Sequence, residues 1–190
     1  MRSFLSSEYS SEFYEGLKET KNDSELIVKL LMDLFEKCNY KVDSVVDFGC
    51  GIGQWLDSFQ KFGEVSEIKG FDGDRVGNQI IIPSESFEVV DLSKPVKCGN
   101  KRYDLAISFE VAEHVDEQFA DIFIDNMVNV SDVIVFSAAI PYQGGTHHVN
   151  CQWQSYWVEK FKERGYEAVD YIRPAVWNHK VAYYYAQNMI

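Results

Sequence analysis

Residues 45–56 read VVDFGCGIGQWL, an apolar run that ends in an acid and passes into three alternating glycines. The apolar residues predict a buried strand over residues 42–48, and the spacing of the later apolar residues predicts a helix after the glycines. Gly49, Gly51 and Gly53 let the backbone approach a ligand without Cβ clashes, while the start of the helix attracts an anionic group. The stretch therefore predicts a ligand-binding turn between a strand and a helix.

The spacing of these glycines indicates which ligand binds. Dinucleotide-binding folds place glycines at the first, third and sixth positions of the turn, whereas Gln54 occupies the sixth position here. Glycines at positions one, three and five, preceded by Asp47, resemble motif I of the class I methyltransferases that use S-adenosylmethionine (SAM). A nicotinamide oxidoreductase is the disfavoured alternative, because its glycine spacing differs.

Acids also end the next two predicted strands. Asp72 follows the segment 67–71, and Asp91 follows the segment 86–90. An acid after the second strand can accept hydrogen bonds from both ribose hydroxyls of a nucleotide. The resemblance places the acid of the third strand near the adenine amino group. Either acid alone is typical of a solvated strand end, but both in register with the glycine turn favour a SAM site.

The fourth predicted strand lies within residues 103–115, YDLAISFEVAEHV, and resembles the next block of the same family. The resemblance implies that the end of this strand lies beside the methionine part of the cofactor. Glu113 and His114 either belong to the site or satisfy the first turn of the following helix. The predicted cofactor-binding residues are Asp47, Gly49, Cys50, Gly51, Gly53, Asp72, Gly73, Asp91, Leu92, Ser108, Phe109 and Glu110.

Segments of strand length alternate with helical periodicity along the chain, which indicates a mostly parallel sheet covered on both faces. A fifth strand is predicted at residues 132–138 and a helix at 153–164. Two last strands, near residues 167–172 and 181–187, have no helix between them and are expected to be antiparallel. We therefore expect one α/β domain over residues 1–190, with a doubly wound, Rossmann-like, seven-stranded sheet whose last strand is antiparallel.

The first 40 residues are predicted to form a helical cap on a SAM-binding core of residues 41–190. Asp23 or Ser24 can cap a helix that runs to about Cys38. Three rings in the preceding polar stretch form either a lid over the cofactor or ordinary packing on the outside of the domain. These rings are Tyr9, Phe13 and Tyr14.

The charge of the chain excludes several partners. Its net charge is −12, and it lacks the clustered Lys and Arg that a phosphate-tracking protein needs. We therefore expect that the protein neither binds nucleic acid nor inserts into a membrane, and that its acceptor is a small molecule. A homo-oligomer is compatible with the sequence. The N-terminus lacks a signal-peptide pattern, and the four cysteines lack redox or metal-knuckle spacing, which favours the cytoplasm.

Residues 136–174 resemble the corresponding region of ubiquinone-biosynthesis O-methyltransferases and, more closely, of small bacterial methyltransferases of sugar and polysaccharide pathways. The resemblance implies methyl transfer from SAM to a small-molecule hydroxyl, with S-adenosylhomocysteine as the product. The preferred candidate acceptor is a sugar precursor, and the second candidate is a quinol or another aromatic hydroxyl. The alternative function is that of a non-catalytic SAM-binding domain. Four rings are candidates for stacking on the acceptor: Tyr142, Trp153, Trp157 and Trp177.

His147 and His148 follow the fifth strand, at the sheet edge where ligands of open α/β folds bind. An imidazole titrates near neutral pH and can accept a hydroxyl proton. Neighbouring residues of an extended segment point in opposite directions, so we expect one of the two, preferably His148, to be the general base. Glu110 and Glu113 are possible metal partners, but no metal is expected.

Overall fold

The sheet consists of five parallel strands, built from the apolar runs of the sequence. The computed structural model describes residues 21–73 and 79–190. The strands are β1 (Ser44–Phe48), β2 (Glu67–Asp72), β3 (Phe87–Val89), β4 (Leu105–Phe109) and β5 (Ile134–Ser137). Their order, β3-β2-β1-β4-β5, changes direction between β1 and β4. Ligands of open α/β sheets bind at such a switch point, outside the carboxyl ends of the strands.

Helices cover both faces of the sheet, as the alternating pattern predicts. Val45 packs in one apolar cluster and its neighbour Val46 in the other, and neither is exposed to solvent. The helices are α1 (Lys21–Lys37), α2 (Gln54–Phe62), α3 (Ala120–Val128), α4 (Gln154–Lys162), α5 (Ile172–Val176) and α6 (Tyr183–Asn188). The first cluster contains residues of α1, α2, α5 and α6, and the second contains residues of α3 and α4. Among the described residues, no helix has the length and apolarity to cross a membrane.

The seven-stranded sheet and the antiparallel last strand are not found in the described residues. Residues 167–171 of the first predicted segment have no regular secondary structure and Ile172 begins α5, whereas most of the second segment lies in α6. Ile172 and Val176 are four residues apart on one face of α5. Both are buried in the apolar cluster that contains α1 and α2, together with Tyr185 of α6 and Met189, which follows that helix. The chain returns to the sheet only at Ile190, which exchanges two backbone hydrogen bonds with Phe136 of β5, at 3.0 and 2.8 Å.

Asp23 and Ser24 do not cap α1, because both lie inside its first turn and are buried. The Asp23 carboxylate accepts a hydrogen bond of 2.9 Å from the backbone N–H of Ala182, just before α6. The hydroxyls of Ser24 and Ser58 are 2.8 Å apart, which joins α1 to α2. The rings predicted as a lid, Tyr9, Phe13 and Tyr14, lie outside the described residues.

A carboxylate at the start of β4 fixes the start of β1. Asp104 Oδ2 accepts hydrogen bonds from the backbone N–H groups of Asp43 and Ser44, at 2.9 and 2.8 Å, and from the Ser44 hydroxyl at 2.8 Å. The Asp104 N–H donates to the Ser44 hydroxyl in return. These bonds align the two central strands, whose carboxyl ends carry the site.

Asp104→Ala should destabilise the fold, because it leaves the N–H groups of Asp43 and Ser44 without their acceptor. We expect the free energy of unfolding, measured in urea, to fall by about 1–3 kcal/mol. Asp33→Ala is the control, since it removes only an exposed ion pair with Lys37 on α1 and should cost about 0.5 kcal/mol or less. Equal losses in the two variants would contradict this role of Asp104.

Candidate active site

The glycine turn between β1 and α2 is shaped by contacts that side chains would block. Gly49, Gly51 and Gly53 have φ angles of 91°, 52° and 87°, in the left-handed region. A Cβ atom on Gly49 would lie 2.3 Å from Val111, and one on Gly53 would lie 2.8 Å from Ile82. Glycine is therefore required at both positions by packing as well as by backbone conformation.

The turn borders a cavity of about 430 Å³ at the carboxyl ends of β1 and β4. Its volume lies in the range of small-molecule sites, which is roughly 300–1,000 Å³. The wall is formed by the glycine turn, the end of β4 with the turn after it, the loop after β5, and α6. The sheet edge predicted from the sequence as the ligand site is thus the edge that carries this cavity.

Two acids lie under the glycine turn. Asp72 accepts hydrogen bonds from the backbone N–H groups of Gly51 and Gly73, at 2.6 and 2.7 Å. Burial raises the pKa of Asp72 to about 6 in spite of these bonds. Asp47 is fully enclosed, and its Oδ2 has no hydrogen-bond partner among the described residues. Burial, and then the charge of Asp72, raise the pKa of Asp47 well above its ordinary value.

Aromatic rings form another wall of the cavity. The Trp55 ring lies 4.4 Å from that of Phe109 and 5.2 Å from that of Tyr185, measured between centroids. Tyr183 and Tyr184 also line the cavity. The sequence pattern did not identify these tyrosines as site residues, because they lie in a segment that was predicted as a strand. The four-residue spacing of Tyr185 and Met189 is the signal for a helix.

The rings proposed from the sequence for stacking on the acceptor do not line this cavity. Trp157 is buried in the apolar cluster under α4, because its ring packs on Phe136. Tyr142, Trp153 and Trp177 are exposed on the surface. The aromatic wall is formed by α2, β4 and α6 instead.

Glu110 follows β4 directly and is held from two sides. Its φ angle is 56°, which is uncommon for a residue with a side chain. Asn188 Nδ2 lies 3.0 Å from each carboxylate oxygen, and Gln143 Nε2 donates to Oε2 at 3.1 Å. Burial raises the pKa of Glu110, and hydrogen bonds from Asn188 oppose that effect. The network joins β4, the loop after β5 and α6 around the cavity.

Glu113, His114 and His148 form a cluster in the wall of the same cavity. One oxygen or nitrogen atom from each of the three lies within 4.8 Å of the others. His148 Nε2 is 3.9 Å from Glu113 Oε1, and the two imidazole rings meet edge to face at 4.9 Å. Glu113 is 1% exposed, and its Oε2 has no hydrogen-bond partner in the described residues. Burial and the charge of Glu110 raise the pKa of Glu113 to about 8, whereas burial lowers that of His114 to about 4.

The loop after β5 orients the cluster. The Glu113 carbonyl accepts hydrogen bonds from the backbone N–H groups of Val149 and Asn150, at 2.9 and 3.0 Å, which fixes the peptide that follows His148. A Cβ atom on Gly145 would lie 2.1 Å from the His148 ring, so the glycine backbone packs directly on the imidazole. His147 is exposed and has a φ angle of 59°. The two histidines therefore occupy different surroundings, but the cause is the turn at His147 and not the alternation of an extended segment.

The structure brings together many of the predicted site residues and separates others. The predicted residues that line the cavity are Gly49, Cys50, Gly51, Asp72, Phe109, Glu110 and His148. Asp47 and Ser108 are buried behind it, where the Ser108 hydroxyl donates to the carbonyl of Phe48 at 2.7 Å. Gly53 precedes α2, and Gly73 does not line the cavity.

The predicted adenine-binding pair also lies off the cavity wall. Asp91 binds its own turn, through the backbone N–H of Ser93 at 3.1 Å and the ammonium group of Lys94 at 2.8 Å. Leu92 is buried in the apolar cluster that contains α3. Their role toward the cofactor stays a prediction. His114 and Glu113, which the sequence left open, do line the cavity, from a 3₁₀ turn that precedes α3.

Comparison with known proteins agrees with this geometry. Residues 20–124 match a family model described as a methyltransferase domain. No curated protein matches the sequence significantly. The methyltransferase domain of a bacterial protein, CtHen1-CN, is similar with 20% identity and a TM-score of 0.54, over 74% of this chain and 85% of that one.

Two further solved structures have S-adenosylhomocysteine bound. Magnesium protoporphyrin IX methyltransferase from Synechocystis PCC 6803 is 15% identical with a TM-score of 0.56, over 86% of this chain and 81% of that one. The plantazolicin methyltransferase BpumL is 16% identical with a TM-score of 0.57, over 80% of this chain and 65% of that one. At these sequence identities, the similarity to the solved structures shows only that the fold is shared. The family model covers more than half of the chain, and the protein therefore belongs to the methyltransferase-domain family and is a SAM-dependent methyltransferase.

Proposed function

We propose that the enzyme transfers the methyl group of SAM to a hydroxyl of a small molecule, in the first place a sugar or polysaccharide precursor. The observation that carries this proposal is the single cavity that joins the glycine turn to the cluster of Glu113, His114 and His148. When bound, SAM supplies a methyl group activated by a positively charged sulfur. The residues of this chain have to hold that donor, align the acceptor with it and receive the hydroxyl proton.

The residues at the glycine-turn end fit the cofactor. Gly51 presents only backbone to the cavity, so a ligand can approach it closely. Each carboxylate oxygen of Asp72 accepts one backbone N–H and keeps a lone pair for a ribose hydroxyl. The unpartnered Oδ2 of Asp47 lies behind the same turn. We propose that the turn binds the methionine part of SAM and that Asp72 binds the ribose.

The other end of the cavity fits a hydroxyl acceptor. A hydroxyl has a pKa far above neutral, so its oxygen becomes a good nucleophile only as its proton is removed. His148 lines the cavity next to Glu113, whereas His147 does not. Alignment of donor and acceptor within one cavity contributes the larger part of the rate, since orientation is worth about 7–11 kcal/mol in favourable cases.

An aromatic hydroxyl is the second candidate acceptor, and one observation favours it. The wall of Trp55, Phe109 and Tyr185 is a surface on which a flat ring can pack. Incubation with radiolabelled SAM, with nucleotide-linked sugars in one panel and catechols in another, separates the two acceptors. We expect label in the sugar panel; label only in the catechols would favour the second candidate. Bound SAM without transfer to either panel would favour a non-catalytic domain.

Replacing each histidine by alanine tests which of the pair acts on the acceptor. His148→Ala should lower the methyl-transfer rate by about 100- to 10,000-fold, because the group that handles the hydroxyl proton is lost. SAM affinity, measured by calorimetry, should stay unchanged in this variant. His147→Ala is the matched control and should keep the wild-type rate, since His147 is exposed outside the cavity. Equal rates in the two variants would contradict the assignment.

Replacing Gly51 by valine tests the cofactor end. A branched side chain at this position enters the cavity wall, so we expect SAM affinity to fall by about 100-fold or more, equivalent to roughly 3 kcal/mol. Gly99→Val controls for backbone strain, since Gly99 also has a left-handed φ angle, of 60°, with open space around it. That variant should bind SAM as the wild type does, with both folds checked by circular dichroism. Unchanged affinity in Gly51→Val would place the cofactor elsewhere.

The raised pKa of Asp72 predicts a pH dependence of SAM binding. The carboxylate must be ionised to accept both ribose hydroxyls, and its pKa is about 6. Protonation as the pH falls from 7 to 5 should therefore weaken SAM binding about tenfold. Asp47 is the neighbouring titratable group, and its pKa is raised as well. Asp72→Asn should bind SAM weakly at both pH values. A wild-type affinity that is equal at pH 5 and pH 7 would contradict the role of Asp72.

A further inference from the structure

Two imidazoles and a carboxylate converge at the acceptor end of the cavity. Their potential ligand atoms, from Glu113, His114 and His148, lie within 4.8 Å of one another. Atoms bound to one ion at about 2.0–2.2 Å lie roughly 3–4 Å apart. Shifts of about 1 Å or less would therefore bring all three into one coordination sphere. Two histidines and one acid form a donor set that divalent first-row transition metals prefer.

The buried acid gives an independent reason to expect a cation. Glu113 is 1% exposed, and its Oε2 has no hydrogen-bond partner among the described residues. Burial of a polar atom without a partner costs free energy, and buried carboxylates are usually paired with a cation or coordinate a metal. No Lys or Arg lines this cavity in the described part of the chain. A metal ion would supply the missing partner.

Groups around the histidines hold them as metal ligands are usually held. His114 Nδ1 lies 3.3 Å from the backbone carbonyl of His147, and His148 Nδ1 lies 3.5 Å from the Cys151 sulfur. A ligating imidazole commonly donates its second ring N–H to a backbone carbonyl, and such a bond fixes the tautomer and the orientation of the ring. The hydrogen bonds of Val149 and Asn150 to the Glu113 carbonyl fix the third ligand through its backbone.

We propose that Glu113, His114 and His148 bind one divalent transition-metal ion, with an open coordination position for the acceptor hydroxyl. Three protein ligands and an open position are typical of catalytic rather than structural metal sites. This inference deepens the proposed function and rests on it for the identity of the acceptor group. It revises the sequence-based expectation that no metal is bound, and it makes His148 a ligand.

The metal would change how the hydroxyl proton is removed. A bound cation lowers the pKa of a coordinated hydroxyl, so the proton passes to water in the open cavity. The hydroxyl oxygen forms its bond to the methyl carbon, and the carbon–sulfur bond breaks with its electron pair on sulfur. The products are the methyl ether, S-adenosylhomocysteine and one proton, and no oxidant or reductant is needed.

Calorimetric titration with MnCl₂ and with ZnCl₂, after EDTA treatment and dialysis of the full chain, tests the inference directly. We expect one ion per chain for at least one of the two metals. Glu113→Gln should reduce that affinity by at least about 100-fold, because it keeps the shape and the backbone contacts but removes the charge. His114→Ala should weaken binding by a similar factor. His147→Ala is the control for surface histidine binding and should keep the wild-type affinity.

Two results would overturn the inference: no saturable binding of either metal, or affinities that are the same in Glu113→Gln, His114→Ala and wild type. Circular dichroism establishes that the variants are folded, and SAM titration of the EDTA-treated protein tests the cofactor end by itself. Loss of metal binding with SAM binding intact would refute the metal site alone. Loss of SAM binding in wild type would refute the proposed function, whatever the metals do.

Discussion

The docking of the glycine turn on the end of β2 is the constraint on which the rest of the site depends. The N–H groups of Gly49 and Cys50 both donate to the carbonyl of Phe71, at 2.7 and 3.1 Å, and the Gly51 N–H donates to Asp72. These bonds hold the turn against the second strand, while Val111 occupies the space that a side chain on Gly49 would need. The cavity exists because the glycine backbone packs closely against the end of β2 and against Val111, so the carboxyl end of β1 stays open.

The second half of the site depends on contacts between distant parts of the chain. Asn188 of α6 and Gln143 of the loop after β5 both bind Glu110, so α6 is tied to the cavity wall through the residue that follows β4. Glu113 holds the loop that carries His148 through its backbone carbonyl. The part of the site around Glu110 and Glu113 is thus assembled by hydrogen bonds between distant loops and α6, whereas the glycine turn is one short segment that docks on the neighbouring strand.

This difference explains what the sequence could predict. Strands β1 to β5, the glycine turn and Asp72 follow from local patterns, because buried parallel strands are short apolar runs and a tight turn needs glycine. The helix α6 was missed because YYYAQN fits a strand as well as a helix in isolation, and its packing on α1 and α2 decides the outcome. The convergence of Glu113, His114 and His148 spans 35 positions and depends on a loop whose path the sequence does not encode locally.

A crystal structure with bound S-adenosylhomocysteine would show whether one cavity holds the methyl donor at the glycine turn and the acceptor chemistry at the other end. We expect the ribose hydroxyls on the Asp72 carboxylate, the methionine part along Gly51, and the sulfur facing the cluster of Glu113 and His148. A product that binds away from the glycine turn, or whose sulfur faces away from this cluster, would contradict it.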